Sequence, residues 1–438
     1  MSGRLMINLA AILGILVLSF LAGAIVVYFG LPTSTFLYRA FRGGEEFFKG
    51  SSSIGSGLGA PTVSKDEKGE TFDGFTLYTS EAAPRAALID MRGNIVHEWK
   101  KSYRDLWPVT GSQLEESESN AWFTDCHLYP DGSLLAVFDG PKGPPGMYGL
   151  VKLDRKGNRI WDYHEIAHDG IDVDEDGNIY ALVEKSADKA PPGLEKDPPS
   201  GPLDCLVVLN EDGKEVNSLS IVAAFRQSPY AALLGPAEVR TDKRGEVIRA
   251  SFVEVLTKKR AEKFAERVPS VKPGQVLISI SLPAQHETDR STVDAIAILD
   301  VKTRSVVWAA HGPWRAQQEC HCLDDGRLLI FDSVGSLKAP RVLEYDPKDQ
   351  SVPWSYSVEG STSERDSGKL RVPAGGCQRL PNGNTLVLLS RGGVLQEITE
   401  SKEVVWQCRT GGRVPMARRY APDQVKEFLD GGQRARPE

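Results

Sequence analysis

The sequence predicts an all-β chain: a six-bladed β-propeller preceded by one N-terminal transmembrane helix. Three features predict it. A strand–turn–strand unit recurs six times, a second hairpin precedes most copies, and the chain opens on a long uncharged apolar run.

The recurring unit is a short apolar strand, a polar turn and a strand that usually ends in Trp. It reads AALIDMRGNIVHEW (86–99), GLVKLDRKGNRIWDY (149–163) and LVVLNEDGKEVNSLS (206–220). It returns as IAILDVKTRSVVW (296–308), RVLEYDPKDQSVPW (341–354) and VLQEITESKEVVW (394–406). Alternation within each copy is the period-two pattern of half-buried strands, and the turn makes a hairpin. Trp99, Trp161, Trp308, Trp354 and Trp406 share one repeat position, which assigns them to packing between blades rather than to a ligand cage.

The second hairpin reads CHLYPDGSLLAVF (126–138), GIDVDEDGNIYALV (170–183), CHCLDDGRLLIF (320–331) and CQRLPNGNTLVLL (377–389). Its Asp-Gly or Asn-Gly pair supplies the positive φ of tight two-residue turns. Two hairpins make a four-stranded blade, and repeated blades make a propeller. Six matching copies argue against a pair of β-sandwiches. The first blade lacks a clear inner hairpin. Either TFDGFTLYTS (71–80) supplies it, or strands from the chain ends close the ring. The longest insertion, 221–275, carries a short helix over Leu256–Arg267, and another helix is expected at Pro422–Leu429.

From Leu5 to Leu31 no residue is charged. That exceeds the ~20 apolar residues a spanning helix needs and the ~7–15 of a signal peptide. The small residues Ala22-Gly23-Ala24 lie inside the run rather than after it. The chain therefore divides into an anchor (1–31), a juxtamembrane segment with a Gly/Ser linker (32–70), a propeller (71–412) and a polar tail (413–438). Residues 5–31 would meet the lipid bilayer. Flanking charges, Arg4 against Arg39, Arg42 and Lys49, do not decide the orientation. A net charge of −7 leaves no basic field to hold nucleic acid. Six cysteines without a C-x₂-C pair exclude a zinc ribbon.

Several segments together resemble the arylsulfotransferase-like family over about 72–412. They are GFTLYTSEAAPRAALIDMRGNIVHEW, HDGIDVDEDGNIYAL, LISISL followed by AIAILDVKTRSVVWAAHGPW, GRLLIFDSVG, RVLEYDP and QRLPNGNTLVLLSRGGVLQEI. The resemblance implies a six-bladed propeller exported across the inner membrane, with the N-terminus cytoplasmic and the propeller periplasmic. It also implies a sulfuryl transfer from aryl sulfate to phenol through a sulfohistidine, without nucleotide. A neutral imidazole is the nucleophile of such a step, and cations offset the charge that develops.

Against that pattern, Gln318 stands at the family's nucleophile position, eight residues before the turn glycine Gly326. His168-Asp169 replaces a His-His pair, Arg249 stands where a histidine is expected, and Ser281 where an arginine is expected. His321 lies three residues beyond Gln318, and an odd offset on a strand faces the other way unless the strand bulges. Two readings follow. One is a catalytically lapsed propeller acting as a binding or scaffold subunit for other membrane or periplasmic proteins. The other is an active arylsulfotransferase using His168 or His321 as nucleophile, with Arg249 as cation, on aryl sulfate and phenol substrates. Convergence of His168, Arg249, His286 and His321 on one pocket would favour the enzyme.

Two further patterns are weighed. Cys126-His127, Cys320-His321 and Cys377-Gln378 share an offset from their turn glycines; packing of small residues outweighs a metal or thiol ring. Asp172, Asp174 and Asp176 match the start of a calcium loop, but Val183 stands where its closing Glu belongs. A hairpin turn is the preferred reading there, with a weak calcium site left open and no other cofactor expected. His97, His164 and His311 are read as isolated.

Overall fold

Each predicted pair of hairpins forms one antiparallel four-stranded sheet, because the period-two apolar faces are buried only when blades stack side by side. The computed structural model describes residues 60–107, 121–140, 148–185, 202–234, 248–281, 294–335, 339–358, 365–366, 369–370 and 374–431. The candidate span 5–31, most of the linker and His286 lie outside them. Among the described residues no helix is long and apolar enough to cross a membrane.

The chain enters on β1 (Thr62–Asp66). Blade 1 takes β2 (Phe75–Thr79), β3 (Arg85–Ile89) and β4 (Ile95–Lys100), followed by the single turn α1 (Tyr103–Leu106). Blade 2 is β5 (Trp122–Leu128), β6 (Leu134–Asp139), β7 (Gly149–Leu153) and β8 (Arg159–Tyr163). Blade 3 is β9 (Ile166–Val173), β10 (Ile179–Lys185), β11 (Leu203–Leu209) and β12 (Glu215–Ser220), with α2 (Ile221–Arg226) after it. Blade 4 is β13 (Arg249–Val255), then α3 (Lys258–Ala265), β14 (Val276–Ser281), β15 (Asp294–Asp300) and β16 (Ser305–His311). Blade 5 is β17 (Gln317–Cys322), β18 (Leu328–Asp332), β19 (Arg341–Asp346) and β20 (Ser351–Ser357). A two-residue ribbon, β21 (Arg365–Asp366) with β22 (Lys369–Leu370), precedes blade 6. That blade is β23 (Gly375–Arg379), β24 (Thr385–Leu389), β25 (Val394–Ile398) and β26 (Val404–Arg409); then come β27 (Ala417–Tyr420) and α4 (Pro422–Gly431).

Two strands beyond the repeats close the ring. β27 pairs with β2 as the innermost strand of blade 1, and β1 pairs with β26 as a fifth, outermost strand of blade 6. Both lie outside the boundaries 71 and 412 read from the sequence, yet both belong to propeller sheets. Only four residues long and rich in Arg, β27 carries no apolar alternation that would reveal it. The first expected helix is shorter than its pattern, running Lys258–Ala265. It starts where the Thr257 hydroxyl accepts from the Arg260 amide (3.5 Å).

The inner hairpins carry one residue more than a two-residue turn. In blade 2 the Gly132 amide donates to the Tyr129 carbonyl and the Tyr129 amide to the Ser133 carbonyl, a type I turn closed by a glycine at φ +83°. At Gly326 the same φ coincides with close packing: a Cβ there would lie 2.4 Å from the Lys263 carbonyl oxygen of α3.

The repeated tryptophans join blades as expected. Trp99 and Trp406 are fully buried, and their indole N–H groups donate to Gly132 and Met91 carbonyls in the next blade. Trp161 and Trp354 reach Glu211 and Glu400 in the same way. Blades 6 and 1 are further joined by a buried ion pair. Glu397 accepts from Arg419 (2.9 Å), the Phe72 amide (2.7 Å) and the Asn384 side chain (2.8 Å). Removing one member of a buried pair strands the other's charge. Glu397→Ala is therefore expected to lower stability by about 3–5 kcal/mol. Urea unfolding should show a lower midpoint at unchanged slope.

Candidate functional site

The innermost strands β27, β5, β9, β13, β17 and β23 surround the propeller axis, and their polar side chains are spent on one another's backbones. Asp125 Oδ2 accepts from the Ile171 amide in blade 3 (3.0 Å). Asp172 Oδ2 accepts from Val255 in blade 4 (2.7 Å), and Glu254 Oε1 from Cys322 in blade 5 (2.9 Å). Glu319 Oε2 accepts from Cys377 in blade 6 (2.7 Å). Gln378 binds both backbone groups of Arg419 in blade 1 (2.7 and 2.9 Å), and the Leu128 amide of blade 2 donates to the Tyr420 hydroxyl (3.4 Å). The six contacts form a closed ring. A hydrogen bond to a carboxylate contributes ~1.5–3 kcal/mol net, so these are latches between blades.

Charge in this enclosed space is costly. Burial pushes the Asp125 carboxyl up to about 6, against the opposing pull of Arg418 at 3.8 Å. Burial and the neighbouring Glu254 push Asp172 up to about 6 as well.

A bulge decides what blade 5 presents. Register along β17 shifts between Gln317 and Cys320, so the alternation expected from a flat strand fails there. Gln318, Glu319 and His321 all border the channel, the first two at the mouth where the inner strands begin and the third at the opposite mouth. Gln318 Oε1 accepts from the Gly375 amide (2.9 Å), tying blade 5 to blade 6. Gly376 leaves room for Glu319, since a Cβ there would lie 2.4 Å from its Oε2.

The two candidate histidines do not meet. His168 is buried, with Nδ1 3.0 Å from Asp169 Oδ2 and Nε2 2.6 Å from Asp204 Oδ1. Asp204 also accepts from the Ala250 amide (2.5 Å), and Asp169 from Arg249 (3.0 Å). Burial disfavours the imidazolium, but the Asp204 charge and both hydrogen bonds outweigh it and raise the His168 pKa to about 10. His321 Nδ1 lies 2.7 Å from Glu254 and its Nε2 3.6 Å from Glu319. Burial again opposes the charge, and the hydrogen bond to Glu254 with the nearby Glu319 carboxylate carries the pKa to about 9.

The channel thus has two separate mouths. The mouth where the inner strands begin is a cavity of about 260 Å³, and the opposite one is about 330 Å³. His168 and Arg249 line neither. They share Asp169 behind the first, while His321 lines the second. Ser281 pairs in register with Arg249 across β14 and β13.

The three aspartates of the calcium-like pattern are divided as well. Both Asp174 oxygens are taken by its own turn, from the Asp176 and Asn178 amides and the Asn178 side chain. Asp172 turns instead to Val255, and among the described residues no group of three or more His, Cys, Asp or Glu could hold a metal ion. All six cysteines are buried and free, and Cys126, Cys320 and Cys377 sit in different apolar clusters.

Sequence reasoning missed the latch residues Asp125, Glu254 and Glu319, together with Arg418; His127 it weighed only as part of the Cys-His offset pattern and assigned to packing. A signal existed for two of them: Asp125 and Glu319 both stand seven residues before a turn glycine. His127 lines the second mouth, where burial and then Arg418 and Lys152 depress its pKa to about 3.

No family model matches the chain, so the resemblance to the arylsulfotransferase-like family rests on the quoted segments alone. No curated protein matches it either. Among solved structures it is similar to a protein of unknown function from Bacteroides caccae, at 13% identity and a TM-score of 0.47, covering 79% of this chain and 98% of that one. It is also similar to a streptogramin B lyase, at 12% identity and a TM-score of 0.41 over 80% of this chain and 83% of the other. A third likeness is to the hydrazine synthase of Kuenenia stuttgartiensis, at 11% and 0.40, over 80% of each.

A pH dependence follows from the ring. Asp125 and Asp172 have folded pKa values of about 6, above their ordinary 3.8, so the folded chain holds protons that the unfolded chain releases between those values. Stability is expected to rise as pH falls from about 6 to about 4, by on the order of 1–2 kcal/mol per carboxyl. The Asp125→Asn, Asp172→Asn double variant should show a flatter profile in that window when urea midpoints are compared across pH.

Proposed function

We propose that this chain is a membrane-anchored, periplasmic, arylsulfotransferase-like propeller that has lost sulfuryl transfer and serves as a binding or scaffold subunit beside membrane partners. One observation carries the reading: both candidate nucleophiles lie with each ring nitrogen facing a carboxylate, an arrangement that favours the imidazolium form, which has no lone pair to offer. A nucleophilic histidine must be neutral at the moment of attack. The amide at the nucleophile position, Gln318, is a tie between blades. Support for a partner role comes from the outer strands, where Ile95, Val96, Ile160 and Val216 remain exposed on three successive blades. Support for the anchor is the uncharged run Leu5–Leu31, which leaves the N-terminus cytoplasmic when the propeller is exported.

The alternative, an active nucleotide-independent arylsulfotransferase, is favoured by one feature. His127 is a histidine of the channel held neutral, and Arg379 and Arg418 line the same mouth. The test is transfer from 4-nitrophenyl sulfate to phenol by the full chain in detergent, without nucleotide. No release of 4-nitrophenol above background and no sulfated histidine in the intact mass are expected. Turnover abolished by His127→Ala would establish the enzyme reading and overturn the scaffold one. Turnover abolished by His168→Ala or His321→Ala would show that the charge assignment of those rings is wrong.

A further inference from the structure

We propose that the mouth where the inner strands begin binds a small organic cation, a protonated amine carried on an apolar body. Glu81, Asp125, Asp139, Asp169 and Glu319 line this cavity, and among its described lining residues the one cation is Arg413, paired with Glu81 at 2.9 Å. Arg418, Arg249 and His321 stand behind Asp125, Asp169 and Glu319 and offset part of their charge, yet none of the three lines the cavity. A concave, low-dielectric site lined by one sign of charge concentrates the opposite sign.

An acidic surface alone would say little, but two buried hydroxyls point further. Ser390 is 1% exposed and lines the cavity, yet its Oγ has no hydrogen-bond partner. Thr124, on the inner strand β5 of blade 2, lines it too, and its Oγ1 is likewise without a partner. A buried hydroxyl left unpaired is costly, and an ammonium N–H donated to either oxygen removes that cost.

The remaining wall selects the class of cation. Trp122, Phe252 and Met416 also line the cavity, which gives an apolar body and aromatic faces for a cation to approach. The carboxylates are spread around the mouth, and no three acidic, His or Cys residues among those described could hold a metal ion. Spread carboxylates with aromatic neighbours suit an extended organic ammonium better than a compact divalent ion. The volume of about 260 Å³ lies just below the ~300–1,000 Å³ of drug-sized pockets, which fits a single-ring amine. The site is independent of the partner reading above, and either stands without the other.

The test uses the full chain in detergent and isothermal titration calorimetry at neutral pH. The probes are phenethylamine, which is cationic, 2-phenylethanol, which has the same body without charge, and phenylacetate, which is anionic. Phenethylamine is expected to bind about tenfold or more tightly than the alcohol, with phenylacetate weakest, because the charge term is lost and then reversed. Trp122→Leu combined with Asp139→Asn should weaken the amine by about tenfold and leave the alcohol nearly unchanged. Equal binding of amine and alcohol, or no binding of the amine, would overturn the proposal. So would undiminished amine binding by a double variant whose thermal unfolding matches wild type. If that variant does not fold, the three-ligand comparison on the wild-type chain decides alone.

Discussion

The hydrogen-bond ring around the axis is the constraint on which the rest depends. A propeller blade buries its faces against its neighbours, but its innermost strand has one edge that no sheet covers. Here each inner strand lends a side chain to a backbone group of the next, from Asp125 round to Tyr420. The bulges that break alternation in β5, β13 and β17 belong to the same arrangement, since they bring neighbouring residues of one strand to the channel. Pairing of β27 with β2 and of β1 with β26 completes the ring between blades 6 and 1.

That arrangement also limits chemistry. Four latch groups are carboxylates, and their negative field has to be balanced inside a poorly solvated space. Arg418 and His321 supply the balance, and His168 is driven towards the charged form by a separate pair, Asp204 and Asp169. A site arranged to keep imidazolium ions in place is the reverse of one arranged to expose a neutral nucleophile. His127, where burial first and then Arg418 and Lys152 disfavour the charge, goes the other way. The same protein therefore holds histidines at both ends of the protonation range: burial opposes the charge in all three, and only facing carboxylates overcome it.

Much of the fold was legible because propeller blades repeat. Six repeated hairpins, five of them closed by Trp, and glycine-marked inner turns are local patterns, and the structure places them as read. The inner strand of blade 1 was not legible, because Ala417–Tyr420 is short, carries two arginines and takes its partner from the far end of the chain. The candidate site was legible only in part. Gln318 and His321 could be located by counting, but the bulge that lets both reach the channel is a register shift without a sequence signature. Nor could the sequence tell that Asp172 parts from Asp174, since two neighbours on a strand end are separated by a contact with blade 4.

The charge state of the two histidines is the central claim, and histidine-selective ¹⁵N NMR of the full chain measures it most directly. Both rings of His168 and His321 are expected to show two protonated nitrogens at pH 8, with titration only above that value, as their pKa values of about 10 and about 9 require. A neutral ring at either position at pH 7 would contradict the account and return a nucleophile to the channel.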